Sequence, residues 1–218
     1  MNFTWSFSSL KDYINCPRQY NEVKVLRKHV KDPTPQMLYG TDVHEALEKY
    51  VGQDIPLPKN YERFKAAVDA LKEIPGTKYV EYKMALDKDK GVCKFVDPNR
   101  WVRGIVDLLI VGDRRAFIVD YKTGSNKYPD TKQLALMALM TFMHFPDVDR
   151  VDAGLLFVAH NALITERYFR KDIDKLWAIF TPHLARLQMS YDTGAWMPNP
   201  TPLCGYCPVR SCEHHKER

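Results

Sequence analysis

The rhythm of apolar and polar positions changes partway along the chain. Early on, apolar positions recur about once per helical turn. Met37, Val43, Leu47 and Val51 lay such a stripe along Gln36 to Val51, which reads as a helix with His44 one turn from Leu47. A short helix comes before it, capped by Ser8 or Ser9, running through Ile14 and stopped by Pro17 just after Cys16. A loop rich in Pro and Asp spans Lys31 to Pro35. Tyr61 to Glu73 forms another helix, halted by Pro75 and Gly76.

The pattern then shifts to Val, Ile, Tyr and Phe. Lys78 to Leu86, Trp101 to Val111 and Arg115 to Tyr121 read as three strands, with Gly112-Asp113 as a tight hairpin turn between the last two. Asp130 to His144 is apolar on most sides, the mark of a buried helix. Val151 to Ala159 and Leu163 to Phe169 make two further strands, and Asp172 caps a helix reaching about Tyr191. From Thr193 onward four prolines and three cysteines preclude a regular element and predict a small stapled knob. This order predicts an α/β fold: a mixed central sheet flanked by helices, with a cysteine-stapled C-terminal knob. One domain is expected, with residues 1–77 its helical N-terminal part, 78–192 its core and 193–218 its tail.

Composition narrows the partners. The chain has 218 residues, 45% of them hydrophobic and 27% charged, enough for a sizeable core and unlike a disordered chain. A formal net charge of +5 admits an anionic partner such as nucleic acid without requiring one. There is no P-loop sequence, so no nucleotide-driven motor is expected. The longest apolar-rich run, Leu134 to Phe145, is far short of the ~20 residues that span a bilayer. Met1 to Phe7 lacks a charged, then apolar, leader pattern. These readings predict a cytoplasmic protein without a membrane partner. In that compartment five cysteines point to metal binding or free thiols rather than disulfides.

Two segments carry candidate chemistry. Arg103-Gly104-Ile105-Val106-Asp107 and Val119-Asp120-Tyr121-Lys122-Thr123-Gly124 each set a carboxylate in or at the end of an apolar strand. A charge there is costly unless it is paired or holds a metal. The hairpin lets Asp107 and Asp120 approach, and two close carboxylates repel unless a cation lies between them. Oxygen donors suit Mg²⁺ or Mn²⁺. Lys122 follows Asp120 by two residues, which on a strand puts both side chains on one face. A metal ligand beside a fixed cation fits phosphodiester hydrolysis.

These motifs resemble the RecB branch of the PD-(D/E)xK nucleases, in which a G-x-x-D strand precedes a D-x-K-T-G strand. The opening Trp5 to Leu10 with Tyr13 to Pro17, the G-x-x-x-H run from Gly40 to His44, and Glu81 in the first strand match the same branch in the same order. The resemblance implies a restriction-endonuclease-like fold in which Asp107, Asp120, His44 and the backbone carbonyl of Tyr121 ligate a divalent metal. Lys122 is then the catalytic lysine, Glu81 supports the site through the metal's outer shell, and Gln133 positions substrate or water. The sequence departs at Met137, where the branch carries the tyrosine of a Q-h-x-x-Y motif. Tyr128, in the loop after Lys122, is a candidate base-stacking residue in its place.

Cys204-x-x-Cys207 followed by Cys212 has metal-site spacing but supplies three thiols where a closed site needs four ligands. Cys16 is the candidate fourth; with zinc, His214 or His215 could replace it. The pattern resembles the iron–sulfur subset of RecB-like nucleases, which implies a [4Fe–4S] cluster on Cys16, Cys204, Cys207 and Cys212. Cys93 fits neither scheme and reads as an ordinary thiol in a turn. The expected function is thus a metal-dependent DNA nuclease, an exonuclease on DNA with free ends, active in recombination, repair or phage DNA processing. A helicase or recombination protein is an expected partner, self-association is open, and a phage-encoded version would work in the host cytoplasm. The competing expectations are a catalytically silent DNA-binding or scaffold module of the same fold, and a regulatory protein whose working part is the cysteine site.

Overall fold

The computed structural model describes residues 3–30 and 32–216. Lys31, at the start of the expected Pro/Asp loop, lies outside them. The chain divides into two compact units: residues 34–177, and residues 3–33 with 178–216.

The larger unit is built on a five-stranded mixed sheet in sequential order β1 to β5. Its strands are β1 (Thr77–Leu86), β2 (Val102–Val111), β3 (Arg115–Lys122), β4 (Arg150–Phe157) and β5 (Ala162–Phe169). Each neighbouring pair is antiparallel except β3 and β4, which run parallel. A parallel pair needs a crossover, and the helix Lys132–His144 supplies it. Every residue of that helix from Leu134 to Phe142 is buried, as its apolar-rich run predicts, Thr141 included. Gly76, with φ +133, leads into β1 where a Cβ would lie 2.7 Å from the Val111 carbonyl oxygen; only glycine accommodates both demands.

Helix Pro35–Gln53 packs Val43, Ala46, Leu47, Tyr50 and Val51 into a core shared with Leu108, Val119 and Tyr121 of the sheet. Thr34 caps it, its Oγ1 accepting from the Met37 N–H at 3.3 Å, and Pro35 occupies the first turn. The burial that anchors this helix also fixes the direction in which His44 projects.

Several boundaries differ from expectation for local reasons. Ser6, not Ser8 or Ser9, caps the first helix (Phe7–Asn15); Ser9 returns the bond by accepting from the Ser6 N–H at 2.8 Å, closing a capping box. Pro17 does not simply end that helix. It starts a second, Pro17–Tyr20, at a position where the missing N–H costs nothing. The segment expected as one helix at Tyr61 to Glu73 is a 3₁₀ stretch, Lys59–Phe64, running into an α-helix at Lys65–Lys72. In the β2–β3 turn, the left-handed residue is Arg114 (φ 53).

In the smaller unit, Tyr20, Tyr191 and Tyr13 surround Trp196, with ring centroids at 6.0, 5.0 and 6.3 Å. The Tyr13 and Ser190 hydroxyls meet at 2.9 Å in the buried interior. The tail, expected to lack regular elements, contains one 3₁₀ turn at Pro202–Tyr206. Among the described residues no helix is long and apolar enough to cross a membrane.

Candidate active site and cysteine cavity

The β1–β2–β3 sheet and the helix Pro35–Gln53 bring the predicted polar residues together. The β2–β3 ladder ends at Leu108 opposite Val119, so Asp107 and Asp120 follow where regular pairing stops. On the other side of β2, the paired positions Val80–Leu108 and Tyr82–Val106 bracket Glu81, placing it opposite Asp107. Glu81 has a left-handed backbone, φ 47, inside a strand. That conformation is unfavourable for a glutamate and sits where two carboxylates face each other.

The polar groups form two linked sets. In the first, His44 Nδ1 lies 3.3 Å from Asp107 Oδ2, and its ring also bonds the Tyr121 backbone carbonyl. Asp107 Oδ2 accepts the Tyr121 N–H at 2.7 Å. Donor atoms of His44, Glu81 and Asp107 all lie within 4.8 Å of one another. In the second, Asp120 is 3% exposed, its Oδ1 accepting from Gln133 Nε2 at 2.6 Å. Lys122 Nζ donates to Gln133 Oε1 at 3.1 Å. It also pairs with Asp120 Oδ2 at 2.5 Å, an ion pair whose geometry leaves that buried oxygen without a regular hydrogen bond. Gln133 thus holds both partners of the ion pair, even without the tyrosine of its motif.

The electrostatics show mutual crowding. Burial, and then the charge of Asp107, push Asp120 up to about 6 despite Lys122. Glu81 is raised by burial, then by Asp107 and Glu48. Burial pulls His44 down, but its bond to Asp107 and the charges of Asp107 and Asp120 outweigh this and raise it. Two carboxylates and an imidazole within 4.8 Å, beside a buried carboxylate oxygen lacking a regular hydrogen bond, form a donor set suited to a hard divalent cation. The groove beside them is also lined by Gly40, Thr41, Glu45, Glu48 and Ile105. Glu48 escaped the sequence reading, although its place one turn after His44 was a usable signal.

In the smaller unit, Cys16, Cys204, Cys207 and Cys212 line one cavity with Arg18, Asn199 and His215. Burial pushes the Cys207 thiol up, and Cys16, Cys212 and Cys204 add to the shift. The Gln19 N–H reaches Cys16 Sγ at 3.5 Å and the Thr201 N–H reaches Cys204 Sγ at 3.3 Å. Cys93 is in the β1–β2 connection of the larger unit, its N–H bonded to the Ala85 carbonyl.

The profile of the PD-(D/E)XK nuclease superfamily matches residues 4–79 and 62–212. The chain belongs to this superfamily. Asp120-Tyr121-Lys122 has the acid, spacer and lysine order written in the superfamily's name. PD-(D/E)XK nucleases use divalent metals, and the His44, Glu81 and Asp107 donors suit one. Two solved structures are similar to this PD-(D/E)XK chain in fold. One, named "Putative exonuclease" and from Eubacterium rectale, has 14% identity and a TM-score of 0.57, covering 99% of this chain and 90% of that one. The other, SSO0001, has 12% identity and a TM-score of 0.50, covering 99% and 89%. No curated protein matches the chain.

Proposed function

We propose that this nuclease is a Mg²⁺- or Mn²⁺-dependent deoxyribonuclease of the RecB-like branch that degrades DNA from its ends. The observation carrying this reading is the Asp120–Gln133–Lys122 network next to the His44, Glu81 and Asp107 donors. In this reading His44, Asp107, Asp120 and the Tyr121 carbonyl hold the cation, and Glu81 joins them as a donor rather than acting through the outer shell. A bound divalent cation lowers the pKa of a water and offsets phosphate charge. Asp107 is oriented for this by the Tyr121 N–H and His44. Lys122, 34% exposed at its side chain, is fixed in position by Asp120 and Gln133. It orients the attacking water and offsets charge gathering on the phosphate oxygens. The "Putative exonuclease" title of the Eubacterium rectale protein accords with end-directed cleavage.

The cavity cysteines, in this proposal, hold a [4Fe–4S] cluster. Four thiols with two backbone N–H donors to sulfur are the donor set that such a cluster uses. Zinc is the alternative occupant, in a tetrahedral set where His214 or His215 could replace Cys16.

End-labelled single- and double-stranded DNA, incubated with wild type and Asp120→Ala under Mg²⁺, Mn²⁺ or chelator, tests the reading. The expected result is metal-dependent release of short products from the ends by wild type alone. Cleavage by the variant at the wild-type rate would overturn the assignment of Asp120, and internal cuts would overturn end-directed action.

A further inference from the structure

His215 is one of the residues lining the cysteine cavity, and its Nδ1 is buried without a hydrogen-bond partner. A buried imidazole nitrogen left unpaired is costly, so natural structures rarely keep one without a use. The backbone around it is settled: the His215 N–H donates to the Cys212 carbonyl at 2.9 Å, a turn that starts from one of the four cysteines. The neighbouring His214 lines the same cavity, with its Nε2 3.6 Å from Glu213. Four of the side chains lining the same cavity are thiols, whose sulfurs can accept from Nδ1.

We infer that His215 is a positioning residue for the cysteine-held group, its Nδ1–H donating a hydrogen bond to a sulfur of that group rather than ligating a metal. The inference rests on the iron–sulfur reading of the cavity. A donor aimed at sulfur stabilises the form carrying more negative charge, so His215 raises the group's reduction potential. It joins the Gln19 and Thr201 N–H groups, which already donate to Cys16 and Cys204. Unlike those backbone donors, it can be removed by a side-chain change.

The test uses the full chain purified without oxygen. Iron, sulfide and zinc are quantified first, and the midpoint potential is then read by dithionite titration for wild type, His215→Leu and His215→Asn. The asparagine amide places an N–H close to where Nδ1 lies. The expected result is a full iron complement in all three, a potential shifted negative in His215→Leu, and a near-wild-type potential in His215→Asn. Equal potentials in all three, or equal negative shifts in both variants, would overturn the donor role, the latter assigning His215 to packing alone. Zinc without iron in wild type would overturn the underlying cluster reading, and this inference with it. If His215→Leu does not fold, wild type labelled with ¹⁵N-histidine decides. A nitrogen coupling in the pulsed EPR spectrum of the reduced protein, absent in His215→Asn, supports the inference, and its absence from wild type overturns it.

Discussion

The carboxylate site and the cysteine cavity solve one problem, gathering like donors, in opposite ways. The carboxylate site is built on a hydrogen-bonded sheet and a long packed helix. Its donors already stand within 4.8 Å, and the crowding appears in the raised Asp120 and Glu81 and in the left-handed backbone of Glu81. The cysteine cavity is built from helix ends and short turns, and its burial and crowding show in the raised Cys207 thiol. A scaffold secured by its own core can hold a repulsive site in readiness, so that losing a bound ion costs activity rather than shape. A scaffold of turns depends on the bound group for stability.

Breaking each site separately should expose this difference. The largest effect is expected from Lys122→Ala, which should slow DNA cleavage about 10²- to 10³-fold while moving Tm little, as read by end-labelled digestion and calorimetry. Stability of the protein would then be independent of the lysine proposed as catalytic; a collapse in Tm would erase the contrast. Cys204→Ser should do the reverse to the fold. Loss of the held group is expected to lower Tm by about 5–10 °C, measured by thermal unfolding alongside iron content.

Glu81→Gln sharpens the first half of the comparison. Removing one charge from the donor set should weaken Mn²⁺ affinity by about tenfold in a calorimetric titration, with folding intact. An unchanged affinity would return Glu81 to a supporting role. The smallest effect concerns pH in the metal-free protein. Asp120, Glu81 and His44 are all raised in the folded state, so each contributes stability at low pH that is lost as pH rises through its folded value. In chelator, Tm should therefore rise by a few degrees as pH falls from about 8 to about 5, and Asp120→Asn should flatten that slope. Cation affinity should fall over the same range, because protons compete for the same atoms.

Much of this was legible beforehand because charge in an apolar strand is conspicuous. Asp107, Asp120 and Lys122 could be picked from the two strands that hold them, and the hairpin joining those strands needed only the turn at Gly112. The cap at Ser6 was not legible, since Ser6, Ser8 and Ser9 each have the needed hydroxyl and the reciprocal bond to Ser9 decides among them. Nor was the direct place of Glu81 beside Asp107, which depends on a backbone conformation that no glutamate prefers alone.

The sequence by itself determined most of the element types and the mixed sheet, and offered candidate metal-binding side chains, because these follow from periodicity and side-chain chemistry. Only the tertiary structure decided how those residues share their contacts. It set Asp120 and Lys122 against Gln133, grouped His44 with Glu81 and Asp107, and left the Nδ1 of His215 unpaired in the cysteine cavity. Such pairings depend on distances of a few ångströms between segments far apart in the chain, and packing fixes those distances where local pattern cannot.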